Sequence, residues 1–182
     1  MSEDLIVHPF GEVESYLVEE VMDGVARQFS IRVSLGARLS IPAQSFSHQR
    51  GQYLSTKFLN VLTTHEQDNI RIRLGITSVD LFVPELNFVF GEASATLRAA
   101  VFSIARLDPR AYGEAEDTAL LIRRATTEAV HELGHVFELG HCKQSNCVMW
   151  FLNTLSETDH KGSSFCHRCA GQLGPLVHTA GI

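Results

Sequence analysis

Five consecutive residues, His131-Glu132-Leu133-Gly134-His135, carry the clearest chemical signal in the chain. On a helix, positions i and i+4 share one face, so both imidazoles reach a single ion. Glu132, one residue on, sets its carboxylate beside that ion, where it polarises a bound water. Zinc suits imidazole ligands that leave a coordination position open, and it lowers the pKa of bound water to about 7. The carboxylate then takes the proton and passes it to a leaving amine. As a bare pattern, the motif also arises from two surface histidines beside an acid. His141 argues against that accident. It lies too far past His135 to share an ion along a straight helix, so the chain must turn back, and Gly140 tolerates such a turn.

Four cysteines follow: Cys142, Cys147, Cys166 and Cys169, spaced as C-x4-C, a stretch of eighteen residues, then C-x2-C. Two close pairs brought together by a loop form the tetrahedral thiolate set of a structural zinc. The roughly forty residues after Gly140 bury little apolar area, and a metal would staple them. Four free thiols, or a redox pair at Cys166 and Cys169, are the competing readings, but the strand–helix setting of thioredoxin-like motifs is missing. His160 and His167 lie near enough to stand in for one thiolate. Two zinc ions are therefore expected, one catalytic at His131, His135 and His141, one structural at the cysteines.

From His131 to Cys169 the sequence resembles the metzincin clan of zinc peptidases and, more narrowly, the archaemetzincin family. The resemblance rests on the extended histidine motif, on Cys142 directly after His141, on Cys147-Val148-Met149, and on the pair Cys166 and Cys169. It implies a metzincin-like zincin fold of the α/β (α+β) class: a twisted, mostly parallel sheet with two long helices and a small zinc-stapled C-terminal subdomain. It also implies metallopeptidase activity with Glu132 as general base, and Met149 as a Met-turn residue beneath the histidines. Taken alone, Met149 beside Trp150 and Phe151 is core. Residues 87–94 resemble the antiparallel edge strand above a metzincin cleft, where an extended peptide can add as a further strand; a core strand with a Gly bulge fits them equally well. Glu92 and Glu157 are candidates for recognising a basic group or a free amino terminus.

Glu138 departs from the pattern, standing where the family keeps glycine. A left-handed conformation there costs a non-glycine residue on the order of 1 kcal/mol. If the helix continued, Glu138 would join His131 and His135 on one face, as a neighbour of the metal or as its third ligand. The simpler reading is a solvated Glu with the turn shifted towards Gly140. Two alternatives to a peptidase follow: a catalytically silent zinc protein that binds peptides or partners, and a metal enzyme built on two histidines and the Glu138 carboxylate.

The elements that must position these residues alternate. Residues 4–9 and 31–35 read as strands, and residues 12–29 read as an amphipathic helix from Val13, Tyr16, Leu17, Val21 and Val25. Residues 42–56 read as an exposed loop and 57–65 as a second helix. Residues 70–79, 86–90 and 97–107 are strand candidates, the last two joined by a hairpin-like break at Gly91-Glu92-Ala93-Ser94. A long helix spans 117–137. This alternation implies an α/β layer architecture, divided as residues 1–140 with the active-site helix and 141–182 with the cysteines.

The chain has 182 residues, a formal net charge of −6 and 45% hydrophobic residues. That is globular rather than disordered, and no basic surface argues for nucleic acid or an anionic membrane. No apolar stretch approaches the roughly 20 residues of a membrane span. Met1-Ser2-Glu3-Asp4 is acidic where a secretory signal carries Lys or Arg. A cytoplasmic setting is expected, in which clustered cysteines bind metal rather than pair, with a peptide as the partner.

Overall fold

The computed structural model describes residues 5–65, 71–151, 159 and 162–179, with side chains as far as residue 173. A five-stranded sheet runs in the order β2-β1-β5-β8-β7, formed by β1 (Leu5–Phe10), β2 (Val33–Leu35), β5 (Ile72–Thr77), β7 (Gly91–Ser94) and β8 (Ala99–Ser103). All neighbours are parallel except β7, which pairs antiparallel with β8 at the edge. A smaller sheet holds β3 (Phe46–Ser47), β4 (Gln52–Leu54) and β6 (Leu81–Phe82). Residues 42–56, expected as loop, thus contribute two short strands and the start of a helix.

Alternation along the strands splits the core in two. Leu5, Val7, Ile72, Leu74, Ile76, Ala100 and Phe102 face helices α1 (Ser15–Phe29) and α3 (Thr118–Val136). On the other face, Phe10, Ala99 and Val101 pack with Phe58, Leu59 and Leu62 of α2 (Ser55–His65). Each fully buried aliphatic or aromatic side chain contributes about 1.5–3 kcal/mol, which fixes the register of α3 against the sheet. The Asp117 side chain caps that helix by accepting from the Leu120 N–H at 2.9 Å. Arg124, buried at 4% exposure, donates to the Leu107 carbonyl at 2.9 Å and to both Asp159 oxygens at 2.8 and 2.6 Å. Helix α4 (His167–Thr179) closes the described chain. No helix among the described residues is long and apolar enough to cross a membrane.

One strand expectation is corrected. Residues 86–90 form no strand: Val89 makes an isolated bridge to Leu81, and the Phe90 carbonyl accepts from the Ser103 N–H at 2.8 Å at the end of the β7–β8 pairing. Gly91–Ser94, expected as a break from its composition but as part of an antiparallel edge strand from the resemblance, is the edge strand β7, and the hairpin turn follows it, with Arg98 at φ 49°. Packing decides this: a Cβ at Gly91 would lie 2.6 Å from Glu132 Cγ and 2.8 Å from the Val101 carbonyl oxygen. Only glycine fits at position 91 between Glu132 and β8, whatever the stronger strand propensity of Phe88-Val89-Phe90.

Candidate metal centres

Helix α3 places His131 and His135 one turn apart, and the chain folds back to bring His141 to them. One nitrogen from each of the three lies within 4.8 Å of the others. The His131 and His141 rings stack at 5.5 Å and 18°, and the His135 ring meets His141 edge-on at 4.8 Å. Two backbone carbonyls set the tautomers. His131 Nδ1 donates to Val148 O and His135 Nδ1 to Leu139 O, each at 2.8 Å; a carbonyl only accepts, so Nδ1 carries the proton. The two Nε2 atoms then face each other at 3.1 Å. Two lone pairs at that distance call for a cation between them, and two imidazoles at tetrahedral zinc distances stand about 3.3 Å apart. The donor set fits the metal.

The turn that makes this possible is at Glu138, not Gly140. Helix α3 ends at Val136, and Glu138 takes the left-handed conformation itself, at φ 62°. The Glu138 N–H donates to His135 O and the Leu139 N–H to Gly134 O, both at 3.0 Å. That is a Schellman ending with Glu138 in the glycine position, and it aims the Leu139 carbonyl at His135. The helix stops before Glu138 shares a face with the histidines, and its side chain is exposed.

Glu132 is 6% exposed and lines a cavity of about 460 Å³ together with the three histidines, Glu128 and Phe151. Residues 86–93 form the opposite wall. Gln52 Nε2 and an Arg50 Nη donate to the Asn87 carbonyl at 3.0 and 3.2 Å, and the Arg106 guanidinium lies 4.2 Å from the Phe88 ring, so this rim is pinned from behind. Met149 is fully buried, and a Cβ at Gly134 would lie 2.4 Å from its sulfur, so it packs under the turn of α3 that carries His131 and His135. Glu92 lines the cavity, but its carboxylate accepts from the Ser55 and Thr56 hydroxyls at the start of α2. Glu157 and His160 lie outside the described residues.

The four cysteines also converge, one sulfur from each within 4.8 Å of the others. They are free thiols, with Cys142 Sγ and Cys166 Sγ at 3.8 Å. Sulfurs at the corners of a zinc tetrahedron stand about 3.8 Å apart. The Cys166 backbone N–H donates to Cys147 Sγ at 3.3 Å and the Gln144 N–H to Cys142 Sγ at 3.5 Å. The Cys166 thiol is lowered to about 7, chiefly by the hydrogen bond from the Cys169 backbone N–H, while burial pushes Cys147 and Cys169 up. A divalent cation is what would let all four ionise together. His167 begins α4, exposed, and is not part of the group.

The contact of Gly91 with Glu132 and the place of Glu128 in the cavity went unread in the sequence. Gly91 is legible only once β7 and α3 are packed. Glu128 had a signal: with His131, Glu132 and His135 it forms an i, i+3, i+4, i+7 stripe, which also describes any helix face.

The family model for peptidase family M54 matches residues 3–174. An archaemetzincin from Pyrococcus furiosus is 39% identical over 180 residues, covering 95% of this chain and 93% of that protein. The crystal structure of an archaemetzincin from Methanopyrus kandleri superposes with a TM-score of 0.84 at 35% identity, over 97% of this chain and 96% of that one. A zinc-dependent peptidase from Methanocorpusculum labreanum superposes with a TM-score of 0.85 at 29% identity, over 93% and 100%. Motif, fold and near-complete likeness agree, and the chain belongs to peptidase family M54, the archaemetzincin family of zinc metallopeptidases.

Proposed function

We propose that the chain hydrolyses peptide bonds in the cavity above His131, His135 and His141, with Glu132 as general base. The three imidazoles would hold a catalytic zinc, and Cys142, Cys147, Cys166 and Cys169 a second, structural one that staples residues 141–182 as a small subdomain. When bound, the catalytic ion supplies Lewis acidity, acidifying water and polarising a carbonyl. The remaining work falls to the chain. Glu132 takes the proton of the attacking water on its carboxylate and delivers it to the leaving amine. Its burial against Gly91 fixes where that carboxylate sits, and the Val148 and Leu139 carbonyls hold the imidazoles in the ligating tautomer. The free edge of β7 offers backbone donors and acceptors to an extended peptide. Met149 acts as the apolar floor under the histidines.

The reading rests on one observation: two Nε2 atoms at 3.1 Å, both Nδ1 atoms committed to carbonyls, beside a buried carboxylate in an open cavity. Glu132→Gln tests it. Zinc content by elemental analysis should stay at the wild-type value while cleavage of a peptide library falls by about 10²–10⁴-fold; unchanged turnover rules out the general-base role. A wild-type protein with two zinc ions that cleaves no peptide would instead be a silent peptide-binding protein.

A further inference from the structure

Residues 86–88 line the cavity with no strand pairing of their own, so side chains behind them must set their shape. Three residues that stand outside the cavity meet there. The parallel pairing of Thr77 with Ser103 puts Asp80 and Arg106 three residues beyond the ends of neighbouring strands β5 and β8, and the pairing of Tyr53 with Leu81 brings Gln52 beside Asp80. Arg106 donates to both Asp80 oxygens, from Nε at 2.6 Å and from an Nη at 2.7 Å. Its guanidinium lies 4.2 Å from the centre of the Phe88 ring. Gln52 is 7% exposed, and its amide is divided between three partners. Its Nε2 donates to Asp80 at 2.9 Å and to the Asn87 carbonyl at 3.0 Å, while its oxygen accepts from Arg50 Nε at 3.1 Å. Arg50 donates in turn to the Leu86 and Asn87 carbonyls.

Asp80 joins the two routes to the wall. A carboxylate only accepts, so it fixes which end of the Gln52 amide faces it and leaves the second N–H aimed at Asn87. Its two oxygens match the guanidinium fork, which locks the plane of Arg106 against the Phe88 face. Without the carboxylate both holds loosen together: the Gln52 amide is free to turn over, and Arg106 to leave the ring for solvent. We propose that Asp80 is a positioning residue for peptide binding, which sets the Asn87 carbonyl through Gln52 and the Phe88 ring through Arg106 in the wall that a substrate meets. It touches no substrate itself. This inference rests on the peptidase reading, and its test has an arm that needs no cleavage.

Zinc-loaded Asp80→Ala is compared with the zinc-loaded wild type on the library peptide that the wild type cleaves fastest. A wall out of shape weakens ground state and transition state alike, so KM should rise about tenfold while kcat stays within about twofold. A merely structural role would instead lower the active fraction, and so kcat at unchanged KM. Arg106→Ala should raise KM by a smaller factor. The double variant should match Asp80→Ala alone, because an arginine already released from the ring has nothing left to lose. Asp80→Glu, which keeps the acceptor, should recover part of the KM. The second arm measures hydrogen exchange in the zinc-loaded protein without substrate. The Val89 N–H, which donates to the Leu81 carbonyl at 3.0 Å, should exchange about tenfold faster in Asp80→Ala, with the amides of α3 unchanged. Unchanged KM, a fall in kcat alone, a double variant worse than Asp80→Ala, or unchanged Val89 exchange overturns the assignment. Faster Val89 exchange in Asp80→Ala, with a wild type that cleaves no peptide, would sink the peptidase reading and leave Asp80 as the residue that shapes the wall. If Asp80→Ala fails to fold, as circular dichroism would reveal, Asp80→Asn and Arg106→Ala decide on the same two readouts.

Discussion

The histidine and cysteine clusters begin on adjacent residues, His141 and Cys142, yet they are built on opposite plans. The histidines open onto the cavity, and His141 is exposed. The thiols face one another, with three of the four cysteines buried. An open position is what chemistry needs and a closed shell is what stability needs. Their linkage matters as much as their contrast. The Cys142 N–H donates to the Met149 carbonyl at 2.8 Å, and Val148, between Cys147 and Met149, supplies the carbonyl that fixes the His131 tautomer. The open cluster thus takes part of its rigidity from the closed one.

Breaking the closed cluster should therefore have the largest effect. Cys169→Ser removes one of the four sulfurs that meet between α4 and the turn at residues 142–147, and if they hold the proposed zinc, scanning calorimetry should show Tm lower by about 10 °C or more. Zinc content should fall at both clusters. Loss of one ion with Tm unchanged would mean that the cysteines support nothing beyond themselves. His135→Ala is the converse cut: it should lose a single ion and cost no more than about 4 °C, since α3 is held by its packing and by Arg124. A collapse of similar size to that of Cys169→Ser would erase the distinction between the two plans.

A smaller, purely local effect is expected at the contact between β7 and Glu132. A methyl at position 91 would stand 2.6 Å from Glu132 Cγ, so Gly91→Ala must shift the carboxylate or the strand. Misplacement of a catalytic group by about 1 Å costs on the order of 10²-fold in rate. Peptide turnover should fall by about 10–100-fold with zinc content unchanged and Tm within a few degrees. Wild-type turnover in this variant would show that Glu132 has room to spare.

Much of this architecture was readable because it is local. The apolar spacing of residues 117–137 locates α3 almost to the residue, and the motif puts His131 and His135 on one face without further help. Periodicity failed where a tertiary contact overrides it. Phe88-Val89-Phe90 has strand propensity but serves as a pinned rim, while Gly91–Ser94 forms the strand, with Gly91 where a Cβ would meet Glu132. Glu92 looked like a group free to recognise substrate, yet its carboxylate is occupied at the start of α2. Those facts depend on which elements meet, and one stretch of chain does not carry them.

The smallest predicted effect concerns the link between the clusters. Glu138 holds the left-handed position of the Schellman ending, and the Leu139 carbonyl that orients His135 depends on that turn. A non-glycine residue there costs on the order of 1 kcal/mol in backbone strain, while glycine gives back part of the gain through a more flexible unfolded chain. The exposed Glu138 side chain adds no packing to the balance. Glu138→Gly should therefore stabilise the chain by about 0.5 kcal/mol, raising Tm by about 1–2 °C, with zinc content and peptide specificity as in the wild type. Glu138→Val should do the reverse, because a β-branched side chain is the least tolerant of positive φ. Its Tm should fall by several degrees, and the ion at the histidines should be lost to a chelator before the ion at the cysteines. If both variants match the wild type in Tm and in the order of metal loss, the strain at Glu138 does not reach the histidines, and His135 is held by α3 without help from the turn.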